Sequence, residues 1–270
     1  MEIGKALYTE RLNLNLTQKQ MCSGILSRPY YARVENGRSS ISAENLFRIL
    51  AARNINFEEF YELIQDDYLS DEIDLQNRMT YAVNTKNIDL LELYCKKILS
   101  TTDDDILKIR AVVTLAYFKE DLDSINNETK QKLKNIFNKD DNWIQNAKLL
   151  RLLANTMPLW PQKKLDFFIG RVLKAINKKK MSEFMTERYL ILLGNYLVTC
   201  FDRKITCDLL DDILRYVITV TSSFHLMIYR IFALYMEALL RNNKEKVLEI
   251  QKKLKLLGYE KVIASWPQKV

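Results

Sequence analysis

Residues 17–37, TQKQMCSGILSRPYYARVENG, decide how the rest of the chain is read. Thr17 is placed to N-cap a short helix, and Gln20, three residues on, completes a capping box. Met21, Cys22 and Ile25 form the buried face of that helix. Ser27 caps the next helix. Pro29 falls in its first turn, where a missing N–H costs nothing. Tyr31 and Val34 lie three apart and turn inward, which leaves Arg28, Tyr30 and Arg33 turned outward. Gly37 ends the helix where a left-handed residue is wanted. Helix, tight turn and second helix together have the layout of a DNA-reading helix-turn-helix.

Working outward, Ile3, Leu7 and Leu14 recur at helical spacing and predict a first amphipathic helix over about residues 2–14. Ser42 caps a fourth helix, SAENLFRILAA, with Leu46, Ile49 and Leu50 inside, and a fifth begins near Phe57. The net charge of +7 is compatible with a polyanionic partner, yet residues 1–65 carry only +1 of it. The cluster is local. Lys5, Arg11, Lys19, Arg28, Arg33 and Arg38 stand against Glu10 and Glu35, which gives +4 between residues 3 and 38.

This block resembles the five-helix domain of phage-repressor-type regulators, and more closely the Rgg (Rgg/GadR/MutR) family of transcription regulators from Gram-positive bacteria. Thr17-Gln18 and Glu35-Asn36-Gly37 frame the motif as in the broad repressor superfamily. Eighteen positions separate Thr17 from Glu35, one fewer than usual there, and the shortened turn is typical of Rgg proteins. GRSSIS…LFRIL matches the Rgg pattern that follows the motif. The resemblance implies that Gln18 contacts the sugar-phosphate backbone and that Arg28 and Tyr30 face base edges. Arginine is the commonest specific reader of guanine. Arg33, a turn further on, suits phosphate. Gln18, Ser27, Arg28, Tyr30 and Arg33 are the expected reading surface for double-stranded operator DNA. Pro29 departs from the small polar residue usual at its position and thins direct readout. Arg11 and Glu35 match a partly buried ion pair of the superfamily and are assigned to structure.

The acidic run QDDYLSDEID breaks the apolar pattern, so the expected domains are 1–66 and 67–270. Beyond the break, amphipathic segments recur with cores near 72–85, 88–100, 105–118, 128–138, 141–157, 161–177, 182–201, 205–221, 224–241, 243–257 and 259–266. A helix-break-helix unit every 35–40 residues is what stacked antiparallel pairs require. The expected fold is all-α: the five-helix domain, then a right-handed, tetratricopeptide-like helical repeat lacking strict consensus residues. The resemblance implies that this second domain dimerises and holds a short peptide pheromone on its concave face. Arg151 and Asn155 share a helix face at i, i+4, and Asn195 interrupts YLILLGNYLVT. Such Asn side chains either clamp a peptide backbone or bond a neighbouring loop. Tyr189, Phe232 and Tyr235 are candidate walls of apolar pockets.

Other chemistry fails on inspection. A single histidine, His225, excludes a multi-histidine metal centre and makes a Ser-His-Asp triad improbable. There is no phosphate-cradling glycine motif. Cys22, Cys95, Cys200 and Cys207 form no CxxC pair and read as reduced, buried thiols. Asp103–Asp105 read as a helix start, Asp208 and Asp212 as a solvated helix face, and Lys178–Lys180 as an inter-helix loop. No run of apolar residues is long enough to span a membrane. The expectation is a cytoplasmic, homodimeric transcription regulator without cofactor or enzymatic activity. A DNA-tethered interaction scaffold and an antitoxin-type repressor are the rivals.

Overall fold

Side-chain caps set most helix starts in the computed structural model, which describes residues 2–139, 142–177 and 181–268. Lys178–Lys180 lie outside the described residues. The chain divides into two compact units, Met1–Asp74 and Leu75–Val270. All regular elements among the described residues are helical. None is long and apolar enough to cross a membrane.

The first unit contains α1 (Ile3–Asn13), α2 (Gln18–Cys22), α3 (Arg28–Glu35), α4 (Ala43–Ala52) and α5 (Phe57–Tyr68). The capping box at Thr17 forms: the Gln20 amide donates to the Thr17 hydroxyl at 3.2 Å, and the Thr17 amide donates to the Gln20 side chain at 2.8 Å. Gly24 and Gly37 both adopt positive φ, +78° and +69°, the first in the short turn and the second after α3. Leu7, Met21, Cys22, Tyr31, Val34, Leu46, Ile49, Leu50 and Phe60 form the core. Leu14 is not among them. It falls at the C-cap of α1, where the chain leaves helical register, and is exposed. Gly4 allows the closest approach in this unit. A Cβ there would lie 2.1 Å from the Val34 carbonyl oxygen, so α1 packs directly against the backbone of α3.

The expected boundary at residue 66 lies inside α5, and the division between the units falls inside α6 (Asp71–Asn84). The second unit continues with α7 (Ile88–Thr101), α8 (Asp105–Phe118), α9 (Asn127–Lys139), α10 (Ala147–Thr156), α11 (Gln162–Ile176), α12 (Glu183–Asp202), α13 (Leu210–Val220), α14 (Met227–Leu240), α15 (Lys244–Leu256) and α16 (Glu260–Ser265). Asp104 caps α8 as the acidic run predicted, accepting from the amides of Ile106 and Leu107. Two segments start later than their apolar patterns suggest. Asn146 caps α10 and separates it from a short 3-10 turn over Trp143–Gln145. The helix expected from 205 begins only at Leu210, so Asp208 lies ahead of it and does not share a helix face with Asp212.

α8, α10, α12 and α14 pack each on the next and form one continuous row. α7 packs on α8, α11 on α12, and α13 on α12 and α14, as a second row behind it. The large apolar core of this unit holds an aromatic cluster of Phe137, Trp143, Trp160 and Phe168, ring centroids 5.2–5.6 Å apart, edge-on except for the tilted Phe137–Phe168 pair. All four cysteines are free and buried. His225 sits in a 3-10 turn stacked on Phe224.

Candidate nucleic-acid interface and helical groove

The helix-turn-helix is held from behind by one carboxylate. Glu35, at the end of α3, is only 7% exposed. Arg11 reaches it from α1 with Nε to Oε1 at 2.6 Å and Nη2 to Oε2 at 3.2 Å, and the Arg11 Nη1 donates to the Leu16 carbonyl at 3.0 Å. Burial raises the Glu35 pKa, but the hydrogen bonds from Arg11 and Gln18 outweigh it and hold the carboxyl below the ordinary carboxylate value. The structural assignment of Arg11 and Glu35 therefore stands.

The five residues expected to face DNA meet different fates. Arg28 lies in the first turn of α3, exposed, and makes no hydrogen bond or ion pair with the described residues. Ser27 occupies the N-cap position, but its side chain makes no cap hydrogen bond. Pro29, two residues on, has no N–H, so one of the two usual capping donors is missing, and the other, the Tyr30 amide, is not taken up by Ser27. Gln18 is half-buried and its side-chain amide donates to Glu35 at 2.9 Å, tying α2 to α3. Tyr30 does not project freely outward. It packs on the core edge and donates its hydroxyl to the Ser40 carbonyl at 2.6 Å. Arg33 lies across the Tyr30 ring at 5.5 Å and bonds Ser39 at 3.4 Å. The loop after Gly37 thus engages two of the five.

In the second unit a groove of about 1670 Å³ opens along the row of α8, α12 and α14. Asn195, Val198 and Phe201 of α12, Phe232 of α14, Tyr117 of α8 and the C-terminal Trp266 are among its walls. Gly194 makes room for Phe232, whose ring would stand 3.1 Å from a Cβ there. Phe232 also packs on Trp266, with centroids 5.0 Å apart.

Of the six residues expected at such a groove, Asn195 and Phe232 line it, and Arg151, Asn155, Tyr189 and Tyr235 do not. Tyr189 and Tyr235 are fully buried. Tyr189 donates to the Ile144 carbonyl at 2.9 Å, and Tyr235 donates to the Pro267 carbonyl at 2.6 Å and accepts from Gln251. Both are core residues whose hydroxyls find internal acceptors, as buried tyrosines require. Asn195 lines the groove while its amide donates to the Ala154 carbonyl at 3.0 Å, which ties α12 to α10. Asn155 accepts from the Arg110 Nε at 3.0 Å. Arg151, one turn before it, is half-buried and makes no hydrogen bond or ion pair with the described residues. Sequence reasoning missed Arg110. Its signal was present: a charge inside DILKIRAVVTLAYF, a helix buried nearly all round.

A helix-turn-helix family model matches residues 7–60. No curated protein is similar enough in sequence to match. Solved structures match over nearly the full length. The SHP pheromone receptor Rgg2 of Streptococcus dysgalactiae is 15% identical, with a TM-score of 0.68 over 98% of this chain and 97% of that one. A putative transcriptional regulator from Listeria monocytogenes EGD-e is 19% identical, with a TM-score of 0.75 over 97% and 93%. PrgX in complex with cCF10 is 17% identical, with a TM-score of 0.68 over 98% and 97%.

The chain has the Rgg2 and PrgX fold.

The likeness runs through both units, as the resemblance in residues 17–37 implied. The first unit supplies the helix-turn-helix of that fold and the second its all-helical part with the groove.

Proposed function

We propose that this chain is a DNA-binding transcription regulator, acting as a homodimer in the cytoplasm, whose second unit binds a short signalling peptide. The observation that carries this reading is the full-length fold shared with a pheromone receptor and with a peptide-bound regulator. The exposed arginine at the start of α3 supports the DNA half. The groove, whose walls combine aromatic and aliphatic side chains with Asn195 and charged residues such as Asp202 and Arg241, has the character of a ligand site and supports the peptide half. Exposed Leu248, Leu256 and Leu257 at the C-terminal helix pair offer apolar surface for a second copy.

In this reading Arg28 is the principal base reader. Ser27 supplies a free hydroxyl toward the backbone. Gln18, Tyr30 and Arg33 shape and position α3 rather than read sequence. Peptide binding favours one arrangement of the dimer and so changes how two reading helices meet their half-sites. The test is Arg28→Ala in a mobility-shift titration at fixed salt. Specific operator affinity falls by about 1–3 kcal/mol while the helical signature is unchanged. Unaltered binding removes Arg28 from the reading role.

A further inference from the structure

The chain's excess positive charge sits on one stretch of the second unit. Residues 127–180 hold thirteen Lys/Arg against four Asp/Glu, a net +9, while the whole chain carries +7. The rest of the chain nets −2, and residues 1–65 contribute only +1. Two neighbouring helices carry much of the excess. α9 and α11 meet through Phe137 and Phe168, with ring centroids 5.5 Å apart, and each helix has four basic residues against one acidic. Both carboxylates are already engaged. Asp166 of α11 accepts from the Gln162 amide at 2.7 Å and from the Tyr196 hydroxyl at 2.6 Å. Glu128 of α9 pairs with Lys132 at 3.2 Å. Lys134, Lys163 and Lys174 are exposed and make no hydrogen bond or ion pair with the described residues.

The outer face of α11 has an order of its own. Leu165, Phe168, Ile169, Val172, Leu173 and Ile176 are buried. Lys163, Phe167, Gly170 and Lys174 follow one another at three- and four-residue steps on the opposite side, with Arg171 beside them. Phe167 is 54% exposed, and cations flank its ring, Lys164 at 5.3 Å and Arg171 at 6.0 Å. Gly170 lies inside the helix, and a Cβ there would meet nothing within 4 Å. Glycine in a helix interior weakens the helix, and no contact within the chain calls for one here. The gap beside Phe167 suits a partner whose backbone comes close.

A partner for this face must be strongly anionic and must offer small apolar surface between its charges. An anionic membrane demands a wide apolar face from a helix lying on it. α11 packs its other large apolar side chains into the core and shows one ring. A DNA strand alternates phosphate with deoxyribose, which matches cation, ring, cation. Lysine and arginine on phosphates supply the sequence-independent part of duplex affinity. We propose that the outer face of α11 is a sequence-independent contact for the DNA backbone. Lys163, Arg171 and Lys174 meet phosphates, Phe167 lies on the sugar between them, and Gly170 leaves room for the strand. The contact rests on the DNA-binding reading for its partner and gives the second unit a share in it.

The test is a salt titration of the full chain on a duplex of random sequence, followed by fluorescence anisotropy. The logarithm of affinity falls with the logarithm of salt concentration by about 0.9 per phosphate neutralised. Lys163→Gln combined with Lys174→Gln makes that slope shallower by about 2 and lowers affinity about tenfold or more at low salt. The Tm is unchanged, since neither lysine has a partner within the chain. Removing the same two charges at Lys97 and Lys244, on α7 and α15, leaves the slope as it was. A slope as steep as that of the unsubstituted chain, or one reduced equally by the Lys97 and Lys244 pair, overturns the contact and leaves the helix-turn-helix reading standing.

Gly170→Leu is the second variant. It strengthens the helix and closes the gap, so the Tm holds or rises while affinity for the random duplex falls about three- to tenfold with the slope retained. Unaltered affinity overturns the contact. Vesicles of phosphatidylglycerol and phosphatidylcholine supply the remaining comparison. Binding to vesicles that is lost in the Lys163 and Lys174 double variant, with duplex binding unaffected, assigns the face to an anionic membrane and overturns the DNA contact. If the unsubstituted chain binds no duplex of any sequence, the DNA-binding reading itself falls, an outcome distinct from an unchanged slope.

Discussion

Among the described residues each unit buries one charged side chain, and the two are treated in opposite ways. Glu35 in the first unit is met by a guanidinium from α1 and an amide from α2, so its charge is matched where it stands. Arg110 in the second unit is as deeply buried, yet it is met by two neutral amides and faces two further arginines. A matched buried charge specifies a fold, because breaking the match leaves the partner stranded. An unmatched one is held by neutral hydrogen bonds alone. The first unit therefore balances its buried charge internally, while the second leaves Arg110 to the amides of Gln76 and Asn155.

The contrast is broken most forcefully at Glu35. Glu35→Ala leaves the Arg11 guanidinium without its carboxylate and is expected to cost about 3–5 kcal/mol in the first unit. Urea denaturation with hydrogen exchange, which resolves the two units, checks this. A loss shared equally by both units, or none, would show that the two charges are not differently used. Next comes Gly4→Ala, which forces a methyl group against the Val34 carbonyl and costs about 1–3 kcal/mol by overpacking, again confined to the first unit by the same measurement. The smallest effect is expected at Tyr30. Tyr30→Phe loses one hydrogen bond to the Ser40 carbonyl, about 0.5–1.5 kcal/mol. Operator affinity should change far less than in Arg28→Ala, since the Tyr30 hydroxyl already has an internal acceptor. A mobility shift as weak as that of Arg28→Ala would return Tyr30 to the reading surface.

What was legible in the sequence follows the range of the forces involved. The capping box, the proline in the first turn of α3 and the left-handed Gly37 are local devices, and each was readable from a few neighbours. The paired cores of Leu46, Ile49 and Leu50, and of Tyr31 and Val34, follow from helical spacing. Contacts across the fold were less visible. Tyr189 and Tyr235 sit on helices apolar on more than one side, so spacing did not distinguish the core from a groove wall. The engagement of Tyr30 depends on where the loop to Ser40 returns, which no periodicity encodes. Asn155 and Asn195 were open to both readings because an amide looks the same whether its partner is a ligand or a neighbouring helix. Arg110 stood out against its apolar surroundings, but its partners Gln76 and Asn155 lie on other helices brought beside it by packing.

Gly4 and Arg11 belong to the same helix and grip the same end of α3, one by backbone contact and the other by an ion pair. Seven residues of helix separate them, roughly 10 Å, and Gln18 adds a third hold from α2. On α3 all three holds meet at its last two residues, Val34 and Glu35, so they clamp one end of the helix. The first turn, which carries the exposed Arg28, stands out from that clamp like the free end of a cantilever.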